Sequence, residues 1–190
     1  MGKLIYLLNV SLDGFVETTD HSPAWGNVDE ELHQWFNDQM RSVDALLYGR
    51  RIYELMAAHW PTARADPAIS GVESEFAQIW LATPKVVFSA TLDHVDWNSR
   101  LVRGDIGSEL ARLRAEFDGD LAVGGATLAA SFIQAGLVDE YRLVVHPVVL
   151  GSGTPFFPPL ETPIPLRLLD SHVFSSGVTY LAYAPFGPLV

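Results

Sequence analysis

Residues 120–128 read Asp-Leu-Ala-Val-Gly-Gly-Ala-Thr-Leu, which predicts a short apolar strand, a glycine turn and the start of a helix. Gly124 and Gly125 lack the Cβ atoms that would keep a ligand from the backbone. The free N–H groups of the first helical turn can hold a phosphate. A helix end at Gly136 and an apolar strand over residues 141–150 complete one βαβ unit. The alternative is that the two glycines serve only close packing between helix and strand.

The composition indicates one globular domain over residues 1–190. Hydrophobic residues make up 48% of the chain and charged residues 18%, which excludes a disordered protein. The 12 basic and 23 acidic residues give a net charge of −11, which argues against a general surface for nucleic acids or anionic membranes. The absence of cysteine excludes disulfides and thiolate metal sites. No signal peptide or membrane span is evident, so we expect a cytoplasmic protein.

A second glycine separates a strand from a helix at Gly49. Residues 43–48 form an apolar strand, and Gly49-Arg50-Arg51 then opens a helix. Two guanidinium groups thus lie in a first helical turn, where the helix dipole favours acidic side chains. A bound anion would resolve this conflict, whereas the alternative is a pair of solvated surface arginines.

Hydroxyl side chains follow a third strand, residues 85–88, in the segment Ser89-Ala90-Thr91. In a mainly parallel sheet the carboxyl ends of the strands share one edge, where ligands bind. We therefore expect the two glycine turns and this segment to lie near one another. Two helix N-termini suit a ligand with several phosphates, and two guanidinium groups suit a further phosphate on a ribose. NADPH is the natural candidate.

The remaining elements indicate an α/β protein with a mainly parallel central sheet, helices on both faces and an antiparallel C-terminal hairpin. Residues 3–10 form the first strand, residues 57–70 are predicted to be a loop, and residues 166–183 form the hairpin. Three further helices are predicted from N-cap residues, which are Asn27, Ser70 and Asp105.

The ordered set of motifs resembles the dihydrofolate reductase-like superfamily. The motifs that carry the likeness are Ser11-Leu-Asp-Gly14, Gly49-Arg-Arg-Ile-Tyr-Glu54, Ser89, Val123-Gly-Gly-Ala-Thr-Leu128, Leu137-Val-Asp-Glu-Tyr141 and Pro147-Val-Val-Leu-Gly-Ser-Gly153. They span nearly the whole chain. Within the superfamily the chain is most similar to the C-terminal reductase domain of the bifunctional deaminase-reductase of riboflavin biosynthesis and to its stand-alone bacterial relatives. The resemblance implies a three-layer fold.

The resemblance also implies a cofactor site. Arg50 and Ser89 would approach the ribose 2′-phosphate, with Arg51 nearby. The glycine turn would hold the pyrophosphate, and residues near the first strand would flank the nicotinamide. The cofactor-binding residues implied in this way are Val10, Phe15, Val16, Gly49, Arg50, Arg51, Ser89, Ala90, Thr91, Gly124, Gly125, Ala126, Thr127 and Leu128. Ile52 departs from the family pattern, which has a threonine there.

Two acidic residues are candidates for the catalytic side. By resemblance, Glu31 matches the acid near the start of the first helix in folate reductases, and Asp13 matches the acid near the first strand in the riboflavin branch. The alternative for both is structural: a turn aspartate, and a first-turn glutamate favoured by the helix dipole. His146, inside a strand, is interpreted as structural. The six histidines show no metal-ligand spacing, and no metal site is predicted.

The sequence therefore predicts an NADPH-dependent reductase of a small heterocyclic, carbonyl or imine compound. By resemblance, the favoured activity is that of a 5-amino-6-(5-phosphoribosylamino)uracil reductase of riboflavin biosynthesis. The alternatives are a dihydrofolate or pterin reductase and a nucleotide-binding module without turnover. The resemblance and the apolar C-terminal segment also predict a homodimer, with a small-molecule substrate and neither nucleic acid nor membrane as partner.

Overall fold

The computed structural model describes residues 2–63 and 68–187. Its strands are β1 Leu4–Ser11, β2 Phe15–Glu17, β3 Val43–Gly49, β4 Lys85–Phe88, β5 Ser99–Val102, β6 Asp120–Gly124, β7 Glu140–His146, β8 Thr154–Pro155, β9 Leu166–Val173 and β10 Thr179–Pro185. Its helices are α1 Glu30–Arg41, α2 Arg50–Ala63, α3 Gly71–Ala82, α4 Ile106–Glu116 and α5 Ala126–Gln134.

Eight strands form one sheet in the order β5-β4-β3-β6-β1-β7-β10-β9. The first six strands in this order run parallel to one another, and β10 pairs antiparallel with both β7 and β9. Strands β2 and β8 pair separately near the carboxyl end of β1. The predicted mainly parallel sheet with an antiparallel C-terminal hairpin is therefore confirmed.

Helices cover both faces of the sheet because the buried strands are apolar on both sides. In β1, Leu4 and Tyr6 belong to one core cluster with Phe132 of α5, whereas Ile5 and Leu7 belong to a second cluster with Leu32 of α1. Helices α4 and α5 thus pack on one face, and α1, α2 and α3 contribute to the other. This is the predicted three-layer arrangement.

The predicted βαβ unit is present as β6, α5 and β7, but its two strands are not neighbours. Strand β1 lies between them and pairs in parallel with both. On its other side β6 pairs with β3, in a register that sets Tyr48 opposite Gly124. The two glycine turns therefore meet at one edge of the sheet, as expected for carboxyl ends of adjacent parallel strands.

Two local predictions were wrong. Helix α1 is capped by Asp29, whose carboxylate accepts a hydrogen bond from Leu32 N at 2.9 Å, and not by Asn27. The predicted loop over residues 57–70 begins too early, because α2 continues through Pro61 to Ala63. Its apolar side packs Met56 and Trp60 into the core, which outweighs the hydrogen bond that proline removes. Residues 64–67 lie outside the described part.

Other caps and turns are confirmed. Ser70 forms a capping box with Glu73 at the start of α3, and Asp105 caps α4 through Ser108 N. Gly136 follows α5 with φ of 66°, a left-handed conformation that glycine adopts without strain. Within residues 2–63 and 68–187, no helix is long and apolar enough to cross a membrane.

Lys85, at the start of β4, is a buried cation. Only 1% of its surface is exposed, and its ammonium group donates hydrogen bonds to the carbonyls of Trp80 and Thr83 at 2.5 and 2.8 Å. It also lies 4.2 Å from the centre of the Trp80 ring. Burial nevertheless lowers the pKa of Lys85 to about 8, because removal from water disfavours the charged form more than these contacts restore it.

We expect this lowered pKa to make stability rise with pH between about 8 and 10. Below pH 8 the ammonium is charged in both the folded and the unfolded state, so folding bears the full cost of removing this charge from water. Above pH 8 the folded state releases the proton while the unfolded state keeps it, so the free energy of unfolding rises by about 1–3 kcal/mol. Lys85→Met should abolish this rise. Urea unfolding followed by tryptophan fluorescence tests this, and parallel pH profiles for the two proteins would contradict it.

Candidate functional site

Two helix N-termini lie side by side at the carboxyl edge of the sheet. Strand β3 ends at Gly49 and α2 begins at Arg50, while β6 ends at Gly124 and α5 begins at Ala126. Gly125 precedes α5 with φ of 90°, and no side chain caps that helix. The backbone N–H groups of its first turn are therefore available to an anion.

A cleft of about 910 Å³ opens at these two helix starts, and we call it the large cleft. Nine of the fourteen predicted cofactor-binding residues line it together. They are Val16, Gly49, Arg50, Arg51, Gly124, Gly125, Ala126, Thr127 and Leu128. Segments 75 residues apart in the chain thus meet in one cavity of the size that ligand sites have.

Arg50 lies beside the hydroxyl segment that follows β4. Its Nη1 donates to Thr91 Oγ1 at 3.0 Å, and its Nε donates to Glu54 at 2.9 Å. Ser89 Oγ accepts from the N–H groups of Thr91 and Leu92, which shapes the turn. The structure therefore brings Arg50, Ser89, Ala90 and Thr91 together, although the last three do not line the large cleft.

Arg51 has different surroundings. Its guanidinium donates to the carboxylate of Glu17, which is 7% exposed and also accepts from Thr154 Oγ1 at 2.6 Å. Burial raises the pKa of Glu17, but hydrogen bonds from Arg51, Thr154 and His21 more than offset this and leave it below its ordinary value. Glu17 is thus ionised and neutralises Arg51 from a buried position, whereas the partner of Arg50, Glu54, is exposed to solvent and forms a weaker ion pair.

The two glycines also serve packing, which was the alternative interpretation of the glycine pair. A Cβ on Gly124 would lie 2.6 Å from the Tyr48 ring, and one on Gly125 would lie 3.1 Å from Ile52. Ile52, which stands where the family pattern has threonine, lines the large cleft beside Gly125. Packing and access to the backbone therefore coincide at this turn.

Of the three predicted cofactor residues near β1, Val10 and Phe15 do not line the large cleft. Val10 is 1% exposed and belongs to the core beneath α5. Phe15 pairs with Pro155 in the short β2–β8 sheet. Only Val16 of this group faces the large cleft, so the nicotinamide role of Val10 and Phe15 stays a prediction.

The two candidate catalytic acids make structural contacts. Asp13 accepts hydrogen bonds from Ser11 Oγ and from the N–H groups of Leu150 and Gly151, which join two loops. The bond from Ser11 is the main cause that lowers the pKa of Asp13. Glu31 accepts from Ser175 N at 3.1 Å in the C-terminal hairpin. Neither acid lines the large cleft or the smaller cavity beside it, and their catalytic roles stay predictions.

A second cavity of about 380 Å³, which we call the apolar pocket, adjoins the large cleft and shares Leu8, Ile52 and Gly124 with it. Its other lining residues are Leu7, Asn9, Val28, His33, Phe36, Met40, Leu46, Tyr48, Met56, Trp60, Phe76, Ala122 and Val123. Asn9 and His33 bring polar side chains to this otherwise mainly apolar wall.

Asn9 is oriented by a buried histidine on the neighbouring strand. Its Oδ1 lies 2.8 Å from Nε2 of His146, which is 1% exposed and packs edge-on against Trp25. Burial lowers the pKa of His146, so its imidazole is neutral at pH 7. The structural role that we interpret for His146 is therefore to hold the side-chain amide of Asn9 in place.

Three residues of these cavities were not singled out from the sequence: Glu17, Asn9 and His33. Glu17 and Asn9 are single polar residues near the first strand, and nothing local distinguishes them. The position of His33 could have been predicted from the sequence, because it precedes Phe36 by three residues and Met40 by seven, which puts all three on one helical face. The helical period therefore places its ring on the side of the helix that faces the sheet.

A family model described as the RibD C-terminal domain matches residues 2–180. The uncharacterized protein YyaP of Bacillus subtilis (strain 168) is 35% identical over 182 residues, which cover 95% of this chain and 94% of that protein. The match thus extends over nearly all of both chains.

Three solved structures resemble the fold. A putative riboflavin biosynthesis protein from Shewanella sp. PV-4 has a TM-score of 0.74 at 23% identity, covering 97% of this chain and 99% of that chain. A diaminohydroxyphosphoribosylaminopyrimidine deaminase/5-amino-6-(5-phosphoribosylamino)uracil reductase from Thermotoga maritima has a TM-score of 0.68 at 16% identity. The match covers 97% of this chain and 57% of that chain. Dihydrofolate reductase from Enterococcus faecalis, complexed with NADP(H), has a TM-score of 0.64 at 14% identity, and the match covers 97% of this chain and 96% of that chain. These likenesses show a dihydrofolate reductase-like fold.

Proposed function

The chain belongs to the RibD C-terminal domain family, as its motifs predict, and from this membership we propose that it is an NADPH-dependent reductase of a small heterocyclic, carbonyl or imine compound. The observation that carries the proposal is the large cleft, where two helix N-termini and Arg50 converge beside the apolar pocket. A dinucleotide and a small acceptor would occupy adjoining cavities in this arrangement.

The residues present fit the cofactor. The uncapped first turn of α5, with Gly125 in front of it, would bind the pyrophosphate through backbone N–H groups. Arg50, with the hydroxyl of Thr91 beside it, would bind the ribose 2′-phosphate. When bound, NADPH would supply a hydride to the acceptor carbon, and an acidic residue or water would supply the proton to the heteroatom of the reduced double bond.

Two named activities follow from the likenesses. Family membership favours 5-amino-6-(5-phosphoribosylamino)uracil reduction, a pyrimidine reductase activity, and the fold likeness keeps dihydrofolate reduction as the alternative. In both, the chain's own contribution is to orient the acceptor against the shared wall at Leu8, Ile52 and Gly124 and to exclude water there.

We expect the purified protein to bind NADPH more tightly than NADH. A titration that follows nicotinamide fluorescence measures both dissociation constants, and oxidation of NADPH with each acceptor is then followed by absorbance. Failure to bind either dinucleotide would overturn the proposal. Binding without hydride transfer to any acceptor would favour the second candidate, a nucleotide-binding module. That candidate is supported by the lack of a carboxylate among the described lining residues of the apolar pocket.

We also propose a homodimer formed through the C-terminal hairpin. Strand β9 is one of the two edges of the sheet, and its Leu168 and Val173, together with Phe186 after β10, expose 51%, 66% and 63% of their surfaces. Exposed apolar side chains along an unpaired edge favour association. Light scattering is expected to give twice the mass of the chain, and a monomer would contradict this. The single domain over residues 1–190 and the cytoplasmic location stay predictions.

A further inference from the structure

We propose that the compound entering the apolar pocket is a neutral, flat molecule of one or two rings, without phosphate or carboxylate on the part that is enclosed. This inference rests on the proposed reductase function and specifies its substrate class. The phosphate of the uracil compound that family membership favours would accordingly lie outside this pocket.

The first argument is charge. Among the described residues that line the apolar pocket there is no Asp, Glu, Lys or Arg. The arginines of the site, Arg50 and Arg51, line the large cleft instead, and Arg51 is already paired with Glu17. An ionised group taken out of water without a partner loses several kcal/mol of solvation. A phosphate within the pocket would bear this cost, whereas a neutral ring would not.

The second argument is the shape of the wall. Trp60 and Phe76 lie with ring centres 4.4 Å apart, and His33 meets them edge-on at 6.3 and 5.7 Å. Met40 and Met56, whose side chains adapt to irregular shapes, line the same pocket. At about 380 Å³, the volume is near the lower end of ligand pockets. A small aromatic or conjugated ring suits such a wall.

The third argument is an unsatisfied buried polar atom. His33 Nδ1 is buried and has no hydrogen-bond partner among the residues that the structure describes. Such atoms are normally paired, and leaving one unpaired costs about 1–3 kcal/mol. His33 lines the pocket, so a rotation of its ring would bring this nitrogen to a polar atom of a bound molecule, which would remove the cost.

Asn9 adds a second polar contact. Its Oδ1 is engaged by His146, whereas its amide nitrogen has no partner within the described residues. That nitrogen can donate to a carbonyl or imine of the ring, which would orient and polarise the double bond that is reduced. The pocket therefore recognises a neutral ring through two polar groups and an aromatic wall.

Two matched probes test the inference without cofactor, in a buffer with excess inorganic pyrophosphate that fills the phosphate site of the large cleft. Isothermal titration calorimetry with 2-naphthol and with 2-naphthyl phosphate compares the same ring with and without the charge. We expect 2-naphthol to bind at least about tenfold more tightly, which corresponds to about 1.4 kcal/mol. Equal or tighter binding of the phosphate, or no binding of either compound, would overturn the inference.

Two arginine variants of α2 locate the site. Met56→Arg places a cation in the pocket and is expected to shift the preference toward 2-naphthyl phosphate by about tenfold or more. Ala58→Arg adds the same charge at an exposed position of α2 outside both cavities and should leave the preference unchanged. If Met56→Arg does not fold, Asn9→Leu serves instead and should weaken 2-naphthol binding by about fivefold or more. An unchanged affinity in the folded variant would place the ring elsewhere and contradict the inference.

The proposed reductase function is tested separately, by the titration with NADPH and NADH. A protein that binds 2-naphthol but neither dinucleotide has the ring site without the reductase function. A protein that binds NADPH but prefers 2-naphthyl phosphate retains the reductase function and refutes this inference.

Discussion

Arg50→Ala is expected to raise the dissociation constant for NADPH by about 10- to 100-fold, because charge-assisted hydrogen bonds to a phosphate contribute about 1.5–3 kcal/mol. The dissociation constant for NADH, which lacks the 2′-phosphate, should change by about threefold or less. Arg50 is half exposed and its guanidinium bonds to the side chains of Glu54 and Thr91, so its removal leaves the core intact. Nicotinamide fluorescence titrations measure both constants.

Two comparison variants make this result specific. Arg51→Ala should affect the preference for NADPH much less, because Arg51 is paired with the buried carboxylate of Glu17, whereas the partner of Arg50, Glu54, is exposed and holds it weakly. Arg100→Ala removes the same charge from β5, where Arg100 pairs with Glu116, and should leave both dissociation constants unchanged. Equal losses in Arg50→Ala and Arg51→Ala would show that both guanidinium groups bind the 2′-phosphate.

Gly153→Ala is expected to lower the free energy of unfolding by about 3 kcal/mol or more and to weaken NADPH binding. A Cβ at this position would lie 1.9 Å from the carbonyl oxygen of Glu17, so the backbone of β2 must move. Glu17 and the adjoining Thr154 both line the large cleft. Displacing them would also loosen Arg51. Urea unfolding and NADPH titration measure the two effects.

Gly151→Ala is the matched control for this substitution. Gly151 also has a positive φ, 79°, but a Cβ there would meet nothing within 4 Å. It should therefore cost only the backbone strain, about 1–2 kcal/mol, and leave NADPH binding unchanged. Equal destabilisation by the two variants would mean that the contact between Gly153 and Glu17 is not a close one in solution.

Much of the candidate site follows from local patterns. The glycines at strand ends, the paired arginines and the hydroxyl segment after β4 could each be located from the sequence, because each is a feature of adjacent residues. The ion pair between Arg51 and Glu17 could not, since the two residues are 34 positions apart and β2 is only three residues long. The contact between Asn9 and His146 joins positions 137 apart.

The composition and the periodicity of apolar residues were enough for the fold class, the mainly parallel sheet, the C-terminal hairpin and most helix caps, because these depend on contacts between residues close in the chain. The order of strands came only from the three-dimensional structure. Strand β1 inserts between β6 and β7 through pairing with residues more than 110 positions away, which no local pattern encodes. The same long-range pairing places the large cleft and the apolar pocket side by side. It also pairs Arg51 with the buried Glu17, whereas Arg50 pairs with the exposed Glu54 of its own helix.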